Sequence, residues 1–364
     1  MNNNHYCIIM AGGNGSLFWP ITRNWKPKQF LDLYGTGKSS LQMTFERFRN
    51  IVPEQNIMVI TAAKYERLVK EQLPLLQDEN LLLEPYGRNT SACIAYSTYA
   101  LLKRNKNAIM IVTPSDHIIP NDKSFTETMT KAIDYTDSNN VLMTIGITPD
   151  KPDTNYGYIQ VTGGKDSILR NSPTKVKTFT EKPDMNMAKV FFDSGEFFWN
   201  SGIYLWKAGI IEEEMNKYIP EITGLFSGWE NEFGSADESA FLERAYSDCE
   251  NISIDYSVME KTDRAWVYPA RFKWSDIGTW ESLYKNLPEK DKSGNAFNSY
   301  KHISENDRNC MVISSDKKKL LAVNGLDNYI VIDTNDVLLI CPKNDKKIKE
   351  FTARLAMPDF EEFR

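Results

Sequence analysis

The sequence is poor in histidine and has no closely paired cysteines. Its three histidines, His5, His117 and His302, show no His-x-x-x-His spacing, so a histidine-rich metal centre is not expected. Its five cysteines, at 7, 93, 249, 310 and 341, each lie more than thirty residues from the next, and no Cys-x-x-Cys pair exists for zinc or redox work. An odd number of scattered thiols fits a reducing compartment with buried, structural cysteines. A basic excess is missing too: 43 Lys and Arg stand against 49 Asp and Glu, a net charge of -6. Domains that live on nucleic acid usually show a net basic balance, so no nucleic-acid partner is expected; small phosphorylated ligands need only a few local cations. Long apolar runs are also lacking. Stretches such as residues 108–112 fall far below the roughly 20 residues that span a bilayer. The polar start Met1-Asn2-Asn3-Asn4-His5 has neither the basic flank nor the apolar core of a signal peptide. The expectation is a cytoplasmic chain with no membrane partner.

What is present is a folded composition, 41% hydrophobic and 25% charged over 364 residues, which excludes disorder. At roughly 150 residues per domain the length suggests two or three domains. In the first half, strand-like runs at 6–10, 57–60, 81–83 and 108–112 alternate with helical patterns at 41–48, 65–75 and 92–102. Short apolar strands between amphipathic helices predict an α/β fold: a Rossmann-like mixed, mostly parallel sheet flanked by helices. Ligands in such sheets bind beyond the carboxyl ends of strands, which directs attention to the loops after Met10, Leu83 and Val112. From about residue 290 the texture changes. Apolar runs begin at Met311, Leu321, Ile330 and Leu338, separated by turn formers, and predict a small C-terminal all-β unit closed by a helix near 346–355. Residues 291–295 read as a linker. The division expected is 1–288 for the α/β domain and 289–364 for the small β domain with its terminal helix. The latter carries no chemical motif and reads as structural or as an oligomer contact, a homodimer being the assembly to expect.

The first loop, Ala11-Gly12-Gly13-Asn14-Gly15-Ser16-Leu17-Phe18-Trp19-Pro20, puts glycines directly after a buried strand. Backbone N–H groups can then approach a phosphate, although a plain strand-to-helix turn accounts for the same residues. It is not the dinucleotide fingerprint, since Phe18 stands where the third glycine belongs. Gly37-Lys38-Ser39 resembles the tail of a P-loop but has no core strand before it, and reads as a polar turn. Lys28, within Lys26-Pro27-Lys28-Gln29-Phe30-Leu31, and nearby Arg23 are placed to reach the same anion as the Gly-rich loop. In Glu84-Pro85-Tyr86-Gly87-Arg88-Asn89-Thr90-Ser91, Asn89 or Thr90 serves as a helix cap, and Arg88 sits where anions bind. Asp116, four residues past a buried strand, is a natural Mg²⁺ ligand when phosphates supply the remaining oxygens. Gly157, the pair Glu181-Lys182, Asn200 and Asp276 follow in short polar motifs, each of which has a bland alternative. Asp276, for instance, could cap the helix opening near Thr279.

Taken in order, these pieces have a family likeness. A Gly-Gly-x-Gly loop, Pro-Lys-Gln-Phe-Leu, Glu-Pro-x-Gly-Arg-Asn-Thr, a strand-end Asp-His, Tyr-Gly-Tyr-Ile, Phe-x-Glu-Lys-Pro, Asn-Ser-Gly and Trp-x-Asp-x-Gly-x-Trp together resemble the mannose-1-phosphate guanylyltransferases of the nucleotide-diphospho-sugar transferase superfamily. The resemblance implies a β-helix-like C-terminal domain, Mg²⁺ as cofactor, and GTP, mannose 1-phosphate and GDP-mannose as substrates and product. It implies that Gly12, Gly13, Asn14 and Gly15, with Arg88 and Asn89, bind the nucleotide, and that Arg23 and Lys28 hold its phosphates. Asp116 and Asp276 would ligate the metal. Glu181 would accept from mannose hydroxyls, Lys182 would hold the sugar phosphate, and Gly157 with Asn200 would line the sugar pocket. Longer relatives carry a further cupin-like isomerase domain, for which 364 residues are expected to leave no room. One position departs from the pattern: Leu17 stands where the family has an arginine that grips the triphosphate. Loss of such a donor typically costs roughly 10²–10³ in rate, so the resemblance implies a slower enzyme or compensation by Arg23 or Lys26. The alternatives are a catalytically silent sugar-nucleotide-binding protein and a nucleotidylyltransferase for another sugar 1-phosphate.

Overall fold

A computed structural model of the chain describes residues 2–13, 18–170, 172–287, 289–343 and 348–364, and of Lys349 the backbone alone. In chain order the first strands are β1 (His5–Met10), β2 (Ile57–Ala62), β3 (Leu81–Glu84), β4 (Ile109–Pro114), β5 (His117–Ile118) and β6 (Leu142–Ile147). They are followed by β7 (Tyr158–Val161), β8 (Thr174–Thr180), β9 (Phe197–Lys207), β10 (Ala265–Pro269) and β11 (Ser275–Asp276). The last six are β12 (Ala296–Phe297), β13 (His302–Glu305), β14 (Met311–Ser314), β15 (Leu321–Asn324), β16 (Tyr329–Asp333) and β17 (Leu338–Pro342).

Contacts group the chain into two units that are discontinuous in sequence. The larger comprises residues 1–12, 44–115 and 119–274; the smaller comprises 13–43, 116–118 and 275–364. This grouping differs from a single cut at 288/289, because two earlier segments pack with the C-terminal residues.

The larger unit is built on a nine-stranded sheet of order β3-β2-β1-β4-β9-β6-β10-β8-β7. Its amino-terminal strands β1 to β4 run parallel. They are buried on both faces, with Cys7, Ile8, Ile9 and Ile57 to Ile60 fully enclosed, which is why they read as continuous apolar runs rather than alternating ones. The helix Asn89–Arg104 is buried from Ser91 to Leu102 and belongs to the same core. The long strand β9 enters antiparallel between β4 and β6 and breaks that regularity. Its ladder with β6 shifts register between Thr144 and Gly146, and at the bulge Gly202 adopts φ 71°, a left-handed conformation that glycine takes without steric cost.

In the smaller unit, β12, β14 and β16 pair in parallel, as do β13 and β15. Partners lie nineteen residues apart between β13 and β15 and between β14 and β16, as His302 with Leu321 and Met311 with Ile330, and fifteen apart between β12 and β14. Consecutive strands therefore turn corners instead of forming hairpins, and the chain coils as a β-helix until β17 closes it antiparallel to β16. Met311, Ile330, Ile332, Leu339 and Cys341 form one core with Phe18, Leu33, Ile277 and Trp280. The Gly37-Lys38-Ser39 turn ends as a reciprocal cap on the helix Ser40–Phe48. Ser39 Oγ accepts from the Gln42 N–H at 3.2 Å, and Gln42 Oε1 accepts from the Ser39 N–H at 2.9 Å, a capping box rather than a phosphate loop.

Candidate active site

The expected sugar-side residues converge within the larger unit. Gly157 precedes β7, Glu181 and Lys182 follow β8, and Asn200 sits at the β9 bulge. The Asn200 N–H donates to Gly157 O at 2.8 Å. A Cβ on Gly157 would come within 2.8 Å of Glu181 Oε2 and 3.5 Å of Asn200 Cβ. A side chain at 157 would therefore push the Glu181 carboxylate from its place. Lys182 Nζ lies 2.8 Å from Glu181 Oε1 while its backbone holds φ 31°, a strained value that persists only where the surroundings impose it. The Lys182 side chain is 60% exposed and the Glu181 side chain only 10%, so the pair stands at the edge of solvent.

Asn200 is held by a dense polar array. Its Oδ1 accepts from Thr144 Oγ1 at 2.9 Å and from the Gly202 N–H at 3.2 Å. Its Nδ2 donates to Tyr204 Oη at 3.0 Å and to Asp255 Oδ1 at 3.1 Å. An amide has two donor hydrogens and two acceptor lone pairs; the protein occupies both lone pairs, and the two acceptors at Nδ2 lie together on one side of the nitrogen. Tyr204 Oη donates a short bond to Asp255 Oδ1. Asp255 opens the π-helical turn Asp255–Met259. Burial pushes its carboxyl up to about 6; Glu181 adds to the rise, while the Tyr204 hydroxyl and Lys182 oppose it.

The nucleotide-side candidates of the larger unit sit at the ends of β1 and β3. The place of a Cβ on Gly12 lies 4.0 Å from Glu84 Oε2. Burial pushes the Glu84 carboxyl up to about 7, against the Tyr246 hydroxyl that donates to it at 3.0 Å. Asn89 takes φ 63° and its Oδ1 accepts from the Thr90 N–H at 2.9 Å. Arg88 has a structural occupation that its sequence neighbours do not reveal. Its Nε donates to Tyr246 O at 2.8 Å and its Nη2 to Ser247 O at 2.9 Å. It thereby satisfies the last carbonyls of the helix Glu238–Asp248, where a cation also complements the dipole.

The smaller unit gathers the expected cation-side residues. Lys28 Nζ stands 2.6 Å from Asp116 Oδ2 and donates to Ile277 O at 2.9 Å. The two-residue strands β5 and β11 pair antiparallel with Asp276 opposite His117, one residue from Asp116. The helix Trp280–Asn286 is capped by Thr279 in a capping box with Ser282, so Asp276 does not serve as its cap. Burial works against ionisation of Asp116, but Lys28 and His117 outweigh it and hold the carboxyl below its ordinary value. Burial raises the Tyr34 phenol, and Asp116 and Asp276 add to the rise. Its hydroxyl is a buried polar atom with no hydrogen-bond partner among the described residues. Gly13 takes φ 98°, with no atom of the described residues within 4 Å of its Cβ position, and its carbonyl accepts from Gln29 Nε2 at 3.4 Å.

Arg23, expected at the phosphates, is 9% exposed and committed elsewhere: Nη2 reaches Asp336 Oδ1 at 2.9 Å, and Nη1 donates to Pro20 O and to Thr22 O. Asn14, Gly15 and Leu17 lie outside the described residues. Among the described residues no group of three or more His, Cys, Asp or Glu side chains could hold a metal unaided, and no helix is long and apolar enough to cross a membrane. Sequence reasoning gave no role to Glu84, Tyr34, Tyr204 or Asp255. Glu84 alone had a signal, as the acidic residue closing the third strand. The rest depend on contacts made far along the chain.

Residues 6–293 match the nucleotidyl transferase family, and residues 301–355 match the mannose-phosphate isomerase/GMP-like β-helix domain. The chain is 34% identical to mannose-1-phosphate guanylyltransferase of Klebsiella pneumoniae, over 98% of this chain and 76% of that protein. It is 38% identical to the protein of the same name from Salmonella montevideo, covering 94% of this chain and 73% of that one. With the alginate biosynthesis protein AlgA of Pseudomonas syringae pv. tomato it shares 36% identity, over 96% and 71% of the two chains. A solved structure described as a mannose-1-phosphate geranyltransferase from Thermus thermophilus superposes with a TM-score of 0.85 at 26% identity, covering 97% of this chain and 100% of that one. The chain is an enzyme of the nucleotidyl transferase family and belongs to its mannose-1-phosphate guanylyltransferase branch.

Proposed function

We propose that the protein transfers GMP from GTP to α-D-mannose 1-phosphate, giving GDP-mannose and pyrophosphate. The observation that carries this reading is the convergence of Gly157, Glu181 and Asn200 with the Lys182 side chain beside them, in a chain of this branch. A carboxylate pressed against a glycine suits a sugar hydroxyl, and a neighbouring ammonium suits the phosphate of the same molecule.

An oxygen of the sugar phosphate attacks the α-phosphorus of GTP. A new P–O bond forms as the bond to the bridging oxygen of the β-phosphate breaks, and pyrophosphate carries away the electron pair. The nucleophile is already anionic, so no general base and no covalent enzyme intermediate are needed. The obstacle is bringing two polyanions together, which makes positioning and charge neutralisation the enzyme's task. Lys182 holds the sugar phosphate and Glu181 accepts from the mannose hydroxyls. Gly12 and Gly13, with the rest of their loop and with Asn89, bind the nucleotide.

The oxygen donors Asp116, one residue before β5 and kept ionised, and Asp276, on the strand paired with β5, with a Tyr34 hydroxyl under their influence that has no partner among the described residues, fit a hard cation such as Mg²⁺. They would hold it, and bound there it would neutralise phosphate charge. Lys28 is the counter-charge of Asp116, and its ammonium suits the phosphate role that this reading gives it. The Arg23 and Arg88 guanidiniums instead brace the segments that carry these groups. The cytoplasm, where nucleotide triphosphates are at hand, suits this activity.

The test is pyrophosphate release from GTP plus mannose 1-phosphate with Mg²⁺, for the chain as it stands and for Leu17→Arg. Turnover is expected in both, with the variant faster by roughly 10²-fold if Leu17 truly lacks a phosphate donor. No turnover in either sinks the reading. GDP-mannose binding by calorimetry without turnover would point to a silent binding protein, and turnover with a different sugar 1-phosphate to the other alternative.

A further inference from the structure

Asn200 is a natural ligand for a sugar hydroxyl, yet its amide is tied into the protein, at Oδ1 by Thr144 and Gly202 and at Nδ2 by Tyr204 and Asp255. Asn200 also shapes the sugar side: its backbone N–H anchors Gly157, and its Cβ lies against the face of Gly157 that Glu181 also approaches. The array ends on one charged group. Asp255 Oδ1 receives both the Asn200 amide and the Tyr204 hydroxyl, and Asp255 comes from a π-helical turn more than fifty residues beyond Asn200. Such turns are rare and recur at functional sites. Charge-assisted bonds of this kind are the stronger class of hydrogen bond, so the carboxylate fixes both neighbours more firmly than a neutral acceptor would.

We propose that Asp255 is a positioning residue for recognition of the sugar 1-phosphate: through Tyr204 and Asn200 it fixes the Gly157 floor against which Glu181 presents its carboxylate. The inference rests on the functional reading above. The side chain of Asp255 is bonded to Tyr204 and Asn200 on the sugar side, so its loss should fall more heavily on that substrate than on the nucleotide.

The experiment measures kcat and both KM values for wild type, Asp255→Asn, Tyr204→Phe and the double variant, alongside thermal melting. The expected result is a rise of about 10-fold in KM for mannose 1-phosphate in each single variant, the scale set by loss of a charge-assisted bond. KM for GTP should change less than about twofold, and the double variant should be no worse than the poorer single, as members of one array behave. Tyr204→Phe removes one hydroxyl and no charge, so it carries the test if Asp255→Asn does not fold. Unchanged constants, or equal loss for both substrates, overturn the inference while leaving the functional reading standing. A wild-type enzyme that does not use mannose 1-phosphate overturns the functional reading and this inference with it.

Discussion

Glu84 closes β3 with a carboxyl enclosed by protein and one hydroxyl donor from Tyr246. Burial disfavours its charged form, and the carboxyl titrates near 7 in the fold against about 4.3 in an unfolded chain. The unfolded chain therefore releases this proton first as pH rises. The stabilising effect of the neutral form is fully present below about pH 4 and is lost as pH climbs through about 7. Glu84→Gln keeps the shape without the charge. Melting curves should place it above wild type at pH 8, by roughly 4 kcal/mol at most, with the gap closing toward pH 5. A gap independent of pH would show that Glu84 does not ionise in the fold. Asp116 is the opposite case: its partners hold it ionised, as a group meant to carry charge requires. The difference between the two carboxyls was not legible in the sequence, where each is an acid at a strand end. Only the lysine that reaches one and the phenol that reaches the other separate them. Arg23 and Arg88 teach the same lesson: each stands in a phosphate-like motif, and each guanidinium is taken by partners more than 150 residues away.

At the scale of elements, the amino-terminal alternation was readable because strands buried on both faces leave unbroken apolar runs. The helix expected over 65–75 is shorter, Glu66–Gln72, since Pro74 cannot continue it. The strands β6 to β10 were far less readable. In β9 the aromatic residues are interrupted by Asn200-Ser201-Gly202, and the bulge that makes this possible depends on its partner β6. In the C-terminal unit, spacing showed strands without showing that alternate ones pair. The corners explain it. Asn309 and Asn328 sit at equivalent places on successive coils and take φ 53° and 62°. Asn306 and Gly325 do the same at 59° and 77°. Asparagine tolerates this left-handed conformation better than other side chains. Asn309→Ala and Asn328→Ala should each cost about 1 kcal/mol in urea unfolding, while the glycine variants should be close to neutral. Equal losses for alanine and glycine would assign the role to the side chains instead.

At the scale of the whole molecule, the packing cores follow contact and not chain order. Phe18 and Trp280 share a core with Ile330 and Leu339, so a boundary drawn from composition alone divides residues that pack together. The five cysteines are spread over this division: Cys7, Cys93 and Cys249 lie in the larger unit, Cys310 and Cys341 in the smaller. All are buried, and burial raises the thiols of Cys7, Cys93, Cys249 and Cys310. A neutral, enclosed thiol is a poor nucleophile. The native chain should therefore resist a bulky alkylating reagent, and each cysteine should acquire the label only when its own surroundings open. Peptide mass spectrometry after timed labelling in rising urea would read the result, and prompt labelling of any cysteine in native buffer would contradict it. The thiols thus amount to five built-in clocks, three in one unit and two in the other, recording which part of the enzyme lets go first.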